Sequence, residues 1–372
     1  MSIETTMTRA WQRQAAWLWL LLPVSWLYGF ITMIRRQAYT IGLLSSYRAP
    51  IPVMVIGNIT VGGSGKTPLI IELVTHLQKQ GLKVGVISRG YGGDNSQMPA
   101  LVHTDSLPSI VGDEPSLIVN MTGAAMAVCP NRKQAITTLL NAYPDLQLII
   151  ADDGLQHYAL QRDIEWIVVD ASRGFGNQQL LPTGFLREPM SRLQGANVVY
   201  HEKAEMVATD NNNQAKRLTM HLQADKLQLL WSSAAEIDGS NVTAEKIPML
   251  PMPPTSNSRV HAVSGIGYPQ RFFDTLISLG FDVIGHAYPD HYDFNLHELL
   301  QYTEQPIIVT SKDAVKIRAL LLDAISRQPL SKEYQELVSR LWVLPVTAVL
   351  SDSCYDSLQQ QLKALNIDIN NG

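Results

Sequence analysis

Only two cysteines, Cys129 and Cys354, occur among the 372 residues. So sparse a supply excludes a disulfide scaffold and a cysteine-built zinc centre, and it suits a reducing compartment. A surplus of positive charge is also missing. Lys and Arg number 29 against 33 Asp and Glu, for a net charge of −4, so the global basic field of a nucleic-acid binder is absent. No repeat at the roughly 20–50-residue periods of solenoids is visible, and no tract is of low complexity. The sharpest shortage is local. No acidic residue lies between Glu4 and Glu72, an interval that holds Arg9, Arg13, Arg35, Arg36, Arg48 and Lys66. What is plentiful is apolar: 46% of residues, against 17% charged. That rules out a wholly disordered chain and supplies core for two or three domains.

Residues 14–34 carry no charge and are mostly Trp, Leu, Ala, Val, Ile and Phe. As a helix they would reach about 30 Å, the thickness of a hydrocarbon core. Pro23 would kink such a helix without forbidding it. Trp11, Trp17, Trp19, Trp26 and Tyr28 are of the kind that settle at membrane interfaces. The run is too long for a cleaved signal peptide, and no small-residue cleavage site follows it. Three readings stay open: a buried core helix, a spanning anchor, and a helix lying in the interface with arginines at both ends on anionic headgroups.

The next apolar run, Ile51-Pro-Val-Met-Val-Ile-Gly57, reads as a buried parallel strand. A loop follows, Asn58-Ile-Thr-Val-Gly-Gly-Ser-Gly-Lys-Thr67, and Pro68 then opens an apolar-spaced helix to Gln78. Strand, glycine loop and helix together predict a phosphate-binding loop over Thr60, Val61, Gly62, Gly63, Ser64, Gly65, Lys66 and Thr67. The glycines let backbone N–H groups turn toward phosphate oxygens, and the helix N-terminus adds partial positive charge. Lys66 would reach the β- and γ-phosphates, and the Thr67 hydroxyl would hold Mg²⁺. Thr60 stands where the pattern usually has its first glycine. A second strand, Leu146-Gln-Leu-Ile-Ile-Ala151, ends in Asp152-Asp153-Gly154. Carboxylates at that strand end suit Mg²⁺, so Asp152 and Asp153 join Thr67 as expected metal ligands.

A GTPase would carry an Asn-Lys-x-Asp guanine reader, and none is present. A partitioning-type ATPase would carry a lysine where Val61 stands. Both absences point to a kinase acting on a small molecule or lipid. Four further clusters call for a role: Ser88-Arg-Gly-Tyr-Gly-Gly93, Val111-Gly-Asp-Glu-Pro115, Gln156-His157 and Pro289-Asp-His-Tyr-Asp293. Each taken singly is equally well a solvated loop. Taken together, the blocks at 57–67, 88–93, 112–115, 152–157, 182–189, 289–292 and 312–313 resemble the tetraacyldisaccharide 4′-kinases, the lipid A 4′-kinase family. Ser311 departs from the glutamate usual before Lys312-Asp313.

That resemblance implies a fold and an activity. The fold is α/β: a P-loop NTPase-like α/β/α domain and a smaller α/β/α domain joined by a β-ribbon, with a membrane-associating N-terminal helix. The expected boundaries are 1–45 for the helix, 46–218 for the kinase domain, 219–258 for the ribbon and linker, and 259–372 for the second domain. The activity is transfer of the γ-phosphate of ATP, with Mg²⁺, to the 4′-hydroxyl of tetraacyldisaccharide 1-phosphate, giving lipid IVA in lipid A biosynthesis. Asp113 would be the base, with His291 as its partner and Lys66 on the phosphates. Arg89, Arg132 and His157 are candidates to grip the disaccharide, and Arg187 and Glu188 to line the nucleotide site. The expected location is the cytoplasmic face of the inner membrane, with the membrane surface as partner and neither nucleic acid nor a protein partner implied. Two alternatives remain: a membrane-bound ATPase switch that dimerises on ATP, and a degenerate nucleotide-binding module.

Overall fold

The computed structural model describes residues 3–203, 217–231, 252–327 and 331–367. The chain divides into two compact units. The first comprises Met1–Ser106, Ile110–Gln223 and Ala348–Gly372; the second comprises Ala224–Thr347 with Leu107–Ser109.

The first unit begins with helix α1 (Ile3–Gln12), a 3₁₀ turn over Ala16–Leu21 and helix α2 (Leu22–Thr40). A nine-stranded sheet follows. Its strands in chain order are β1 (Val53–Gly57), β2 (Val84–Ser88), β3 (Ala100–Val102), β4 (Ala125–Val128), β5 (Leu148–Asp152), β6 (Ile164–Asp170), β7 (Asn197–His201) and β8 (Leu218–Ala224). The ninth, β14 (Val346–Leu350), comes from near the C-terminus, and the spatial order is β14-β8-β7-β6-β1-β5-β2-β4-β3. From β8 to β4 every pairing is parallel. The edge strand β3 runs antiparallel to β4, and β14 runs antiparallel to β8, with Ser351 N donating to Thr219 O and Asp225 N to Pro345 O. β1, β2 and β5 are buried at every residue, as strands covered on both faces must be.

Helix α3 (Lys66–Lys79) shows why the cover holds. Leu69, Ile70, Leu73, Val74 and Leu77 recur on one helical stripe and are wholly buried. Each contributes about 1.5–3 kcal/mol relative to exposure. The helix begins two residues earlier than Pro68 because Gly65, in a left-handed conformation at φ 94°, serves as its N-cap. Helices α4 (Pro108–Val111), α5 (Asp113–Thr122) and α6 (Arg132–Ala142) follow in the chain.

The second unit carries a five-stranded sheet ordered β11-β10-β12-β13-β9, where β9 is Gln228–Leu229, β10 is Arg259–Ser264, β11 is Asp282–Ala287, β12 is Ile307–Thr310 and β13 is Leu341–Leu344. All pairings are parallel except β13 with β9. Helix α7 (Pro269–Ser278) buries Phe272, Phe273 and Leu276, and the helix over Ser311–Arg327 buries Ala314, Ile317 and Leu321.

A two-stranded ribbon begins inside the span 219–258. Its first strand is the run from β8 to β9, but its partner is the returning run from β13 to β14. Asp225 N donates to Pro345 O at 3.0 Å, Thr347 Oγ1 to Asp225 Oδ2 at 2.7 Å and Leu230 N to Leu341 O at 2.9 Å. Residues 232–251, with most of the expected linker, lie outside the described residues. The C-terminal residues from Ala348 onward return to the first unit, whereas the sequence reading runs the second domain to the end. Leu358 and Leu362 of the last helix, Asp352–Ala364, are buried in the core shared with Trp166 and Val168 of β6.

Candidate functional site

The carboxyl ends of β1, β5 and β2 lie side by side, and the chain leaves β1 to reach β2 with β5 between them. Such a reversal opens a crevice at the carboxyl edge of a parallel sheet, where ligands bind. The glycine loop between β1 and α3 occupies that edge. Gly62 and Gly65 both take φ 94°. A side chain at Gly65 would also collide with His201 Nδ1 and Met220 Cε, both 2.7 Å from the Cβ position. Arg173 from beyond β6 and His201 from the end of β7 buttress the loop: Arg173 Nη1 donates to Val61 O at 2.5 Å, and His201 Nδ1 lies 3.2 Å from Ser64 O. Neither residue had a motif to announce it; only the strand order brings them there.

Lys66 Nζ donates to Asn58 Oδ1 at 3.1 Å and pairs with Asp153 Oδ1 at 3.4 Å. The Asn58 amide in turn donates to Thr60 Oγ1 and to Gly62 O, both at 3.3 Å. Asn58 thus holds the loop and its lysine together, a role that its place at the end of β1 could have suggested. The N–H of Val61 donates to Phe185 O at 2.9 Å.

The two aspartates differ. Asp152 ends β5 and is buried. Its Oδ2 accepts from Ser88 Oγ at 3.1 Å, and its Oδ1 has no hydrogen-bond partner among the described residues. Burial, with Glu114 and Asp153 nearby, pushes its carboxyl up to about 7 against the pull of Lys66 and Arg132. An orphaned buried carboxylate oxygen amid like charges is a fitting ligand for a divalent cation, which normally takes one or two carboxylates with phosphates. Asp153, at φ 47°, faces Lys66 and Arg187 instead. Burial would raise its pKa, but those two cations outweigh burial and hold it down to about 2. Asp153 is thus the counter-ion of Lys66 and Arg187 in this structure.

Asp113 opens α5 instead of lying on a loop, because Gly112 at φ 94° is the N-cap and acidic residues suit a first turn. Two sequence motifs meet here. The Cβ position of Gly93 is 2.3 Å from Ile110 O, and that of Gly112 is 2.6 Å from Tyr91 O. Only glycines let the loop after β2 lie against the start of α5. Asp113 is buried, and its Oδ1 accepts from Glu114 N at 2.9 Å.

The three disaccharide candidates fare differently. Arg89 is exposed at the end of β2. His157 is half-buried; burial, then Arg132, Arg162, Arg35 and Arg89, lower its pKa to about 4. Arg132 is buried, with Nη1 donating to Cys129 O at 3.2 Å and Nη2 to Asp152 O at 3.0 Å. Its guanidinium braces the end of β5. Glu188 is likewise buried, accepting from Gln156 Nε2 and Tyr158 OH, both at 2.8 Å.

In the second unit the carboxyl edge of the sheet gathers its own cluster. His291 takes φ 57°, a strained conformation for a non-glycine residue, held by its N–H on Gly265 O at 3.1 Å. Lys312 Nζ lies 3.2 Å from Asp290 Oδ1 and 3.3 Å from His291 Nε2. Asp313 is buried, and its Oδ2 accepts from Gly265 N and Thr310 Oγ1.

The tetraacyldisaccharide-1-P 4′-kinase family model matches residues 17–363. A tetraacyldisaccharide 4′-kinase of Psychrobacter cryohalolentis is 73% identical, covering 99% of both chains. One of Ectopseudomonas mendocina is 40% identical over 98% of this chain and 99% of the relative. The crystal structure of LpxK from Aquifex aeolicus in complex with ATP is similar in fold, with a TM-score of 0.66 and 24% identity over 94% of this chain and 99% of that one.

Proposed function

Because the chain belongs to the tetraacyldisaccharide-1-P 4′-kinase family, we propose that it transfers the γ-phosphate of ATP to the 4′-hydroxyl of tetraacyldisaccharide 1-phosphate, giving lipid IVA. The observation that carries this reading is Lys66, poised between Asn58 and Asp153 at the switch point of the parallel sheet. On nucleotide binding Lys66 leaves part of its contact with Asp153 for phosphate oxygens, while N–H groups at the start of α3 face the same anion. Thr67 and Asp152 would hold Mg²⁺, which neutralises charge on the phosphates when bound. Asp113 accepts the hydroxyl proton as the 4′-oxygen attacks phosphorus and ADP departs. His291, in the second unit, is its proposed partner. Arg89 and His157 are the proposed grips on the disaccharide, and Arg132 acts through the end of β5.

The N-terminal segment supports a membrane-surface location. Among the described residues, Ala16–Thr40 is the one stretch long and apolar enough to cross a bilayer. Yet Ser25 in the middle of it is buried, and Tyr28 hydrogen-bonds Arg187 O. The opposite face, with Trp26, Leu27, Phe30 and Ile31, is exposed. A helix with one face on protein and an apolar face in water suits the plane of the interface, here the cytoplasmic face of the inner membrane.

The test is incubation with labelled ATP, Mg²⁺ and tetraacyldisaccharide 1-phosphate. Labelled lipid of one added phosphate is expected. ATP hydrolysis without a phosphorylated lipid, accompanied by ATP-dependent dimerisation, would establish the ATPase switch instead.

A further inference from the structure

The docked face of the N-terminal segment meets residues 180–187, and near its end Tyr39 packs on Tyr158 with ring centroids 6.3 Å apart. Trp11 Nε1 donates to Pro182 O at 2.9 Å. Ser25 Oγ donates to Leu180 O at 3.0 Å and accepts from Thr183 N at 3.0 Å. Tyr28 OH donates to Arg187 O at 3.0 Å. Gly29 admits the Leu180 methyl, which lies 2.7 Å from its Cβ position. Ser25, Tyr28 and Gly29 follow the i, i+3, i+4 spacing of one helix face.

The other side of the same stretch braces the phosphate loop. Val61 N donates to Phe185 O at 2.9 Å, and Arg187 N to Ile59 O at 2.7 Å. Arg187 Nη1 donates to Asp153 Oδ2 at 3.0 Å and to Oδ1 at 3.3 Å, and Asp153 is the carboxylate paired with Lys66. A single residue, Arg187, is therefore held by α2 at its carbonyl, by the loop at its N–H and by the partner of Lys66 at its guanidinium.

The docking contacts are few hydrogen bonds, each modest in water. The face turned away is apolar and open: Leu20 is 81% exposed and Trp26 67%. A lipid surface that covers this face stabilises α2 as an ordered helix in its docked place, and whatever favours the docked helix favours the braced loop. We propose that Arg187 is a positioning residue for Lys66, set by docking of α2 on residues 180–187, so that contact of α2 with a lipid surface tightens nucleotide binding. This rests on the reading of the loop as the ATP site. Coupling of this kind is reciprocal, so nucleotide also strengthens attachment to lipid by the same factor.

The test uses the full chain, a fluorescent ATP analogue and vesicles of phosphatidylethanolamine and phosphatidylglycerol. Nucleotide affinity is expected to rise roughly fivefold or more on adding vesicles, and vesicle flotation to rise equally on adding nucleotide. Tyr28→Phe keeps the ring and removes the bond to Arg187; Ser25→Ala removes the other central contact. Each should reduce the coupling at least about threefold without losing vesicle binding. Arg187→Ala should weaken nucleotide binding with or without vesicles, and Arg187→Lys should restore most of it. Equal affinity with and without vesicles in the wild type, or full coupling in both helix variants, overturns the proposal while the ATP-site reading stands. A lowered melting temperature with coupling intact marks these contacts as merely structural and overturns it too. A wild-type chain that binds no nucleotide under either condition overturns the ATP-site reading itself.

Discussion

Residues of like type in this site owe their different roles to their surroundings. Lys66 is the cation proposed to meet phosphate, so Lys66→Ala should cost about 10²–10³ in rate, the usual cost of a lost charge contact in the transition state, with an unchanged melting temperature. Arg132 is also cationic, but its guanidinium satisfies two backbone carbonyls in the core. Arg132→Met should therefore destabilise by about 1–3 kcal/mol, read as a lower midpoint in urea unfolding. An unchanged midpoint with a raised KM for the lipid would return Arg132 to substrate binding. His157 supplies a pH dependence. Its folded pKa of about 4 lies below the ordinary 6.5, so on acidification the unfolded chain takes up the proton first. The stability it contributes is present above pH 6.5 and is lost as pH falls toward 4. The melting temperature of His157→Gln should fall less steeply than that of the wild type across that window.

Elements meet here where side chains are missing. Gly93 allows the loop after β2 to touch the start of α5, with Ile110 O 2.3 Å from where a Cβ would stand. That oxygen is backbone and cannot swing aside. Gly93→Ala should destabilise by roughly 1–3 kcal/mol and shift Asp113 with α5. Turnover should fall further than stability does, which parallel urea and kinase assays would detect. An alanine variant of normal rate would separate the loop contact from the placement of Asp113.

For the whole molecule, the proposed base and its proposed partner belong to different units. Asp113 opens a helix of the first, and His291 sits beside Lys312 at the sheet edge of the second. If Asp113 is the base, Asp113→Asn should lower the rate by roughly 10²–10⁴, and if His291 acts through it, the two losses should not add. The double variant with His291→Ala should then be little slower than the slower single one. Additive losses would give His291 a separate task. Removing residues 1–36 should release the chain from detergent and from vesicles, because the exposed apolar face goes with it; a truncated chain still floating with vesicles would locate the membrane contact elsewhere.

What was legible in the sequence was local. Strand β1, the glycine loop, Lys66 and Thr67 form one short stretch, and the Asp152-Asp153 pair ends another, each with a residue spacing that suggests its chemistry. The apolar N-terminal stretch was equally visible, though its composition could not say which face would meet protein. That depends on Ser25 and Tyr28 finding acceptors at Leu180 and Arg187, more than 150 positions away. The same limit explains the rest. Asp152 and Asp153 are neighbours with nearly the same sequence signal, yet one is buried beside Ser88 and Glu114 and the other faces two cations. Arg173 and His201 reach the loop only because β6 pairs with β1 and β7 with β6 in the sheet. The ribbon takes its second strand from 341–350, since hydrogen bonds between strands are indifferent to distance along the chain. Sequence patterns record what a segment does with its own neighbours; which distant backbone it pairs with, and which of two adjacent carboxylates meets a cation, is settled when the sheet closes around them.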